Sequence, residues 1–378
     1  MGASKDRQKF DKRKKLVSCI TAGIIALLIL ALVLINAFAF PLRYLSTLFS
    51  LPSVSSRAEN ELAVHFIDVG QGDASLIELP DGKTMLIDGG GTDVGARNQL
   101  LRYLRALKIK KLDYLMLTHP DSDHCGGLDD VLELFGAREI YMPYCPDSEI
   151  NAAYGDFVAA VQKAAKRGAA VHISQTYSAI VSENVNCFYY AMILSPLSVE
   201  IESSYYRELE NGNSSDSATN DCSAVLYLEY DGVRLLFTGD VTERVESDLC
   251  TQYEQLGDEL FAVSVDVGGE SVELRPRLED IDVLKVAHHG SSGSTSEKFA
   301  ELLSPDIALI GVGAENLYGH PSPSVSSRLL ASNPDCKIYR TDELGNIVLR
   351  INPSEDIEAI LQRGKALTYR KKSYSEFI

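Results

Sequence analysis

T-H-P-D-S-D-H-C-G-G-L, residues 118–128, places two histidines and two aspartates within six positions, directly behind the apolar run L-D-Y-L-M-L at 112–117. The run is short and follows charged residues, so it predicts a buried strand ending at His119. His119, Asp121, Asp123 and His124 then fall on a short loop, and Gly126, Gly127 and Leu128 open a helical pattern, L-D-D-V-L-E-L-F. Imidazole and carboxylate are ligand types that suit zinc, manganese and iron. Four of them this close repel one another or lose hydration at a cost unless a cation sits among them, so the loop predicts a metal site.

Two later segments also follow apolar strand patterns: T-G-D at 238–240 and H-H-G at 288–290. They add Asp240, His288 and His289 to the candidate ligands. Adjacent residues of an extended chain point to opposite faces. One of the two histidines is therefore expected at the site unless the strand has already turned, and His288 is favoured.

With these motifs the sequence resembles the metallo-β-lactamase superfamily, whose H-x-H-x-D-H signature reads H-P-D-S-D-H here. It is most similar to the hydrolase domain at the C-terminal end of ComEC competence proteins. The similarity runs over residues 62–349 and includes F-I-D-V-G-Q-G-D (66–73), L-I-D-G-G (86–90), N-D-C-S (220–223), L-F-T-G-D (236–240), H-H-G-S (288–291) and N-L-Y-G-H-P (316–321). The resemblance implies an α/β fold, a four-layer αβ/βα sandwich, with two divalent metal ions, Mn or Zn. It puts His119 and Asp121 on one ion and Asp123 and His124 on the other. Asp240 bridges both, and His288 or His289 completes the set.

The same resemblance assigns supporting roles. Asp88 orients a ligand by hydrogen bonding. Asp68, Gln71 and Asp73 share a loop beside the metals, with Asp73 or Gln71 touching substrate or ligands. His320 protonates a leaving group or contacts phosphate, so Asp123, His320, Asp73 and Gln71 are the candidate catalytic set. Asp121 stands where the superfamily has its second histidine, and Asn220 and Asp221 where it has a later one. Both changes exchange nitrogen for oxygen, which favours harder ions such as Mn²⁺ while leaving zinc compatible. Ser223 either binds a phosphate oxygen or caps a turn, and Ser291 and Ser292 offer the same choice.

The chemistry implied is phosphodiester hydrolysis by water that bound cations acidify to a pKa of roughly 7. DNA is the leading substrate. Phosphorylcholine or teichoic-acid esters of the cell envelope are the enzymatic alternative, and a catalytically silent interaction module keeping the fold is the third reading. No protein partner is legible in the sequence.

The chain of 378 residues is 45% apolar, ample for a large core. Residues 1–15 form a basic head with Lys5, Arg7, Lys9, Lys12, Arg13, Lys14 and Lys15, and residues 16–40 are an almost uninterrupted apolar run. Roughly 20 such residues span a bilayer. The basic flank predicts a cytoplasmic N-terminus with the rest of the chain outside the cell membrane. A cleaved signal peptide competes, because A-F-A-F at 37–40 offers small residues, but the run exceeds the about 7–15 residues of such a segment. A single-pass anchor is expected, followed by a Ser-rich tether (41–60), the hydrolase domain (61–352) and a polar tail (353–378).

The formal net charge is −17 and, once the basic head is set aside, −22 for the remainder. That field disfavours holding duplex DNA over the whole surface. Beyond Cys19, six cysteines (Cys125, Cys145, Cys187, Cys222, Cys250 and Cys336) show no framework spacing, so no pairing is deduced. Cys125 and Cys222 follow candidate site residues and can face each other, a metal, or a core.

Between motifs, the pattern alternates. Three strand candidates in 63–88 read as an antiparallel meander; helices are expected at 94–107, 129–135, 152–166 and 243–256, and strands at 139–142, 224–229, 234–237 and 283–287. His65 and His172 fall inside strand patterns and read as packed or solvated. Two insertions, 199–220 and 257–280, read as polar loops, the first carrying Tyr205 and Tyr206 as candidate base-stacking groups.

Overall fold

The computed structural model describes residues 2–38, 41–54, 57–145, 150–196, 211–212, 216–353, 357–363 and 367–369. The chain divides into two compact units, 1–51 and 52–378. In the first, a helix runs Gly2–Phe38, and within it Arg13–Leu34 is long and apolar enough to cross a membrane. Over residues 13–34 its apolar side chains are exposed. A 3₁₀ turn, Leu42–Leu48, occupies part of the stretch expected to be a plain tether.

The second unit holds eighteen strands among the described residues, β1 to β18 in chain order, and two large sheets dominate it. Those that bear on the site are β1 (Leu62–Phe66), β2 (Ser75–Glu78), β3 (Thr84–Ile87), β4 (Leu112–Met116), β9 (Val225–Tyr230), β10 (Val233–Phe237), β13 (Val283–Lys285) and β14 (Ile307–Ile310). One sheet has nine strands in the order β18 (Leu367–Tyr369), β17 (Ile357–Leu361), β16 (Ile347–Ile351), β1, β2, β3, β4, β5 (Ala137–Met142) and β6 (Ala170–Ile173), and the other seven, β15 (Lys337–Arg340), β14, β13, β10, β9, β8 (Tyr189–Ser195) and β7 (Ala179–Val181). The 63–88 meander is antiparallel as expected, whereas β3-β4-β5-β6 and β10-β13-β14-β15 are parallel.

The sheets face each other across one apolar core. Leu62, Val64, Phe66 and Ile87 meet Leu226, Leu235, Phe237 and Leu309 there, and the Phe66 and Phe237 rings stack across the seam at 6.1 Å. The outer face of the second sheet packs under the helices Glu243–Leu256, Glu297–Leu303 and Pro323–Ser332. The helices Val94–Ala106, Leu128–Leu134 and Ala152–Lys166 bury Leu100, Leu104, Leu128, Phe157 and Val161 beside the first. This is the four-layer α/β sandwich.

Both faces of β1 are covered, which explains a histidine inside it. His65 is buried on the helix side and paired with the Tyr103 hydroxyl at 3.0 Å and Glu78 at 2.9 Å. His172 stacks on Tyr141 and pairs with Glu139.

Three sequence expectations change. The stretch read as a polar tail adds β17 (Ile357–Leu361) and β18 (Leu367–Tyr369) to the edge of the first sheet. Ile357 and Ala359 are buried on either side of Glu358, an alternation too brief to stand out. The second insertion forms a hairpin of its own, β11 (Val263–Val267) with β12 (Glu270–Leu274). Of the first, residues 216–220 are helical, while 199–210, including Tyr205 and Tyr206, lie outside the described residues. Among the described residues no cysteine is in a disulfide. Cys125 and Cys222 are buried, and the Cys125 thiol donates to the Pro120 carbonyl at 3.4 Å, so small buried side chains are what they are.

Candidate metal centre

Open α/β sheets gather ligands beyond the carboxyl ends of their strands. Here the ends of β3, β4, β10, β13 and β14 converge on one crevice from both sheets. β3 runs into Asp88, β4 into Thr118 and His119, β10 into Asp240, β13 into the His288–His289 turn, and β14 into Gly311. The loop after β1 brings Gln71, Gly72 and Asp73 alongside, with Asp73 N donating to the Asp123 carbonyl at 3.2 Å. Gly72, at φ 132°, has no room for a side chain because a Cβ would strike that same carbonyl.

The expected single histidine from H-H-G is a correction. The strand stops at Lys285, and both His288 and His289 adopt left-handed backbone, φ 49° and 52°, so the two rings no longer alternate. His289 is buried and central, while His288 sits nearer solvent with Nε2 at 3.9 Å from Asp240. The ring favoured from sequence is the outer one.

Around Asp240, His124 Nε2 lies 3.3 Å from Oδ1 and His289 Nε2 3.3 Å from Oδ2. His289 Nε2 is also 3.2 Å from Asp123 Oδ2 and 3.3 Å from His124 Nε2. The tautomers are set from outside. His124 Nδ1 faces Asp88 Oδ2 at 2.8 Å, and His289 Nδ1 faces the Gly311 carbonyl at 2.7 Å. Carboxylate and carbonyl only accept, so each Nδ1 carries a proton, and each Nε2, once it gives up its own, turns a lone pair into the cluster.

His119 is fully buried, its Nδ1 takes Thr118 Oγ1 at 3.0 Å, and its Nε2 has no hydrogen-bond partner, the nearest acid being Asp121 at 3.7 Å. Lone pairs converging on carboxylates, with one imidazole nitrogen orphaned, are the donor set of a divalent cation. Asp73, His124, Asp240 and His289 all offer ligand atoms within 4.8 Å of one another. The residues present fit a metal.

The electrostatics agree. Burial opposes charge on His124, but Asp240 and Asp88 outweigh it and lift the ring well above its ordinary value. Burial likewise resists ionisation of Asp240, yet His124, His289 and Lys285 hold it well below the usual carboxylate range. Burial alone dominates at His119, which is driven well down, and at Asp121, raised to about 7.

The remaining candidates sort by what they touch. Asp88 is buried at φ 59° and also accepts the Thr118 N–H and hydroxyl, both at 2.8 Å. Ser223 accepts the Asp240 N–H at 3.1 Å and is fully buried, so it caps the turn and does not face the crevice. Asp221 is turned away toward Arg244, 3.0 Å, and Thr242. Asn220 Nδ2 lies 3.5 Å from His288 Nδ1, with its Oδ1 unpartnered. Gln71 Oε1 accepts the Gly313 N–H, and Asp68 accepts the Gly70 N–H beside Arg363.

A cleft of about 840 Å³ opens over the cluster, lined by Asp121, Asp123, Asp240, His288, His289 and His320 among others. His320 stacks on the 72% exposed Tyr318 and meets His288 edge-on at 5.8 Å.

Lys285 and Gly311 were missed from sequence. Lys285 is buried at the heart of the cluster, its Nζ paired with Asp73 and 2.8 Å from the Gly239 carbonyl. Three residues ahead of H-H-G in a strand, it read as an ordinary charge. A side chain at Gly311 would strike Asp73.

The chain matches, over residues 67–144, the family model described as Metallo-beta-lactamase superfamily, in keeping with its four-layer sandwich and its buried Asp/His cluster. It is similar to ComEC-type competence proteins, at 28% identity to ComE operon protein 3 of Bacillus subtilis (80% of this chain, 34% of that protein) and 28% to Competence protein ComA of Neisseria gonorrhoeae (76% and 32%). The chain thus spans about a third of the length of these curated relatives. Among solved structures, a metallo hydrolase of Ignicoccus hospitalis aligns at 13% identity over 82% of this chain and 100% of that one, with a TM-score of 0.40.

Proposed function

We infer that the chain is a membrane-tethered, metal-dependent phosphodiesterase that cleaves DNA on the outer side of the membrane. The observation that carries the metal chemistry is the pair of imidazoles, His124 and His289, each fixed through Nδ1 and each directing Nε2 at Asp240 and the other. The likeness to relatives named as competence proteins supports DNA, and the basic residues before the apolar helix support the outward orientation.

His119, Asp121 and His288 would hold one divalent ion, Asp123, His124 and His289 the other, and Asp240 both. When bound, such ions would supply Lewis-acid polarisation of a phosphoryl oxygen and lower the pKa of a water. The protein's own part is to orient. Asp88 and the Gly311 carbonyl lock the two inner rings, Ser223 fixes the Asp240 backbone, and the fully buried rings exclude bulk water beneath the reacting phosphate. His320 stands in the cleft with its ring held below the ordinary value by burial and then by His288. Neutral near pH 7, it hydrogen-bonds a phosphate or leaving oxygen and is not a stored acid.

One observation favours a second reading. Among the described residues the cleft wall carries Asp68, Asp93, Asp121, Asp123 and Asp240 and no lysine or arginine. A long polyanion has few phosphate anchors there, whereas a small envelope phosphodiester needs only the metals. The metal-reconstituted chain in detergent, assayed on single-stranded DNA, duplex DNA and small phosphodiesters, separates the two. Turnover of DNA is expected. Cleavage of small esters alone would select the envelope reading, and turnover surviving Asp123→Ala with Asp240→Ala would remove the metal mechanism.

A further inference from the structure

Asp73 is placed like a ligand, within reach of His124, Asp240 and His289, yet it is already engaged. Its Oδ2 is ion-paired to Lys285 Nζ, and its Oδ1 is wedged against Gly311, where a Cβ would collide with it. The same ammonium donates to the Gly239 carbonyl at 2.8 Å and lies 3.5 Å from Asp240 Oδ1. Neither Asp73 nor Lys285 is among the residues lining the cleft, and they are only 6% and 4% exposed, whereas Asp123, Asp240, His288 and His289 all line it. The pair therefore lies beneath the cluster, on the side away from substrate.

We propose that Lys285 is a built-in cation that keeps Asp73 out of the metal's coordination. This rests on the metal reading above. A carboxylate bound to an ammonium in a dry site is not free to ligate, because leaving its partner would strand a buried charge, which costs far more than the pair gains. Asp73, Asp88, Asp121, Asp123 and Asp240 bring five carboxylates to one place; Asp88 is taken by His124 and Thr118, and Lys285 takes Asp73. Lys285 is thus a positioning residue and Asp73 its counter-ion, not a ligand.

The full chain in detergent, loaded with Co²⁺ as the probe, tests this through metal content and the visible ligand-field bands. Asp73→Asn is expected to keep the wild-type number of ions per chain and the wild-type bands, since no ligand is lost. Lys285→Met releases Asp73, so its bands should change, and adding Asp73→Asn to it should restore them. Loss of an ion or altered bands in Asp73→Asn would overturn the proposal. Each single variant leaves one buried charge unpaired; if neither folds, the double variant, which removes both charges, decides by the same reading. Wild-type protein that takes up no cobalt would instead overturn the metal-centre reading, and this inference with it.

Discussion

At the level of single side chains, His289 links the site to pH. Burial pulls its ring down, but Asp240, Asp73 and the bond to Asp123 more than reverse this and raise it to about 9. A group raised on folding contributes its stabilisation in full below its unfolded value, about 6.5 for histidine, and loses it as pH climbs through the folded one. Asp121, raised to about 7 by burial, loses its contribution earlier, as pH rises from about 4 to 7. The unfolding temperature of chelator-treated protein should therefore decline from pH 7 to pH 9, and divalent metal should flatten the decline by replacing the ring proton. A flat profile in chelator would sink this account. The residues of the D-x-D-H loop and T-G-D could be picked out from sequence because their chemistry is carried by residue type alone. Lys285 could not, since a lysine in a strand declares nothing until its neighbours are known, nor could the choice between His288 and His289, which depends on two left-handed backbone angles.

Between elements, the least conspicuous device is Glu246, buried in the helix Glu243–Leu256. Its carboxylate accepts the N–H groups of Thr295 at 2.5 Å and Ser296 at 2.7 Å, and so caps the next helix, Glu297–Leu303, from outside. Glu246→Ala strands those donors and should cost about 1–3 kcal/mol, read as a lower urea midpoint at unchanged slope. Glu297→Ala, on the exposed face of the capped helix, should stay within about 0.5 kcal/mol. Equal effects would remove the capping role. Helices such as Ala152–Lys166 and Glu243–Leu256 match their sequence periodicity end to end. β17 escaped notice because it buries only Ile357 and Ala359 fully, with Glu358 between them, too short an alternation to stand out.

For the molecule as a whole, the dividing line is Leu51. The preceding unit carries the apolar helix, and the unit beyond it has its own two-sheet core. The full chain should partition into the detergent phase and resist salt extraction from membranes, while residues 52–378 stay aqueous and keep a cooperative thermal transition. Salt-releasable full-length protein would mean that the helix does not anchor it. The alternation of patterns alone indicated only sheet covered by helices, and the layered architecture was within reach of the sequence through the family resemblance. The pairing order of sixteen strands across two sheets was not, since register follows from contacts between residues hundreds of positions apart.

The crevice is assembled from both sheets, with Asp88 and the 119–124 loop hung from one and Asp240, His289 and Gly311 from the other. During synthesis the first group leaves the ribosome more than a hundred residues before the second is complete. A nascent chain therefore carries half of the cluster and no more, and the crevice is complete only when the last structural layers have closed, a safeguard written into the order of translation.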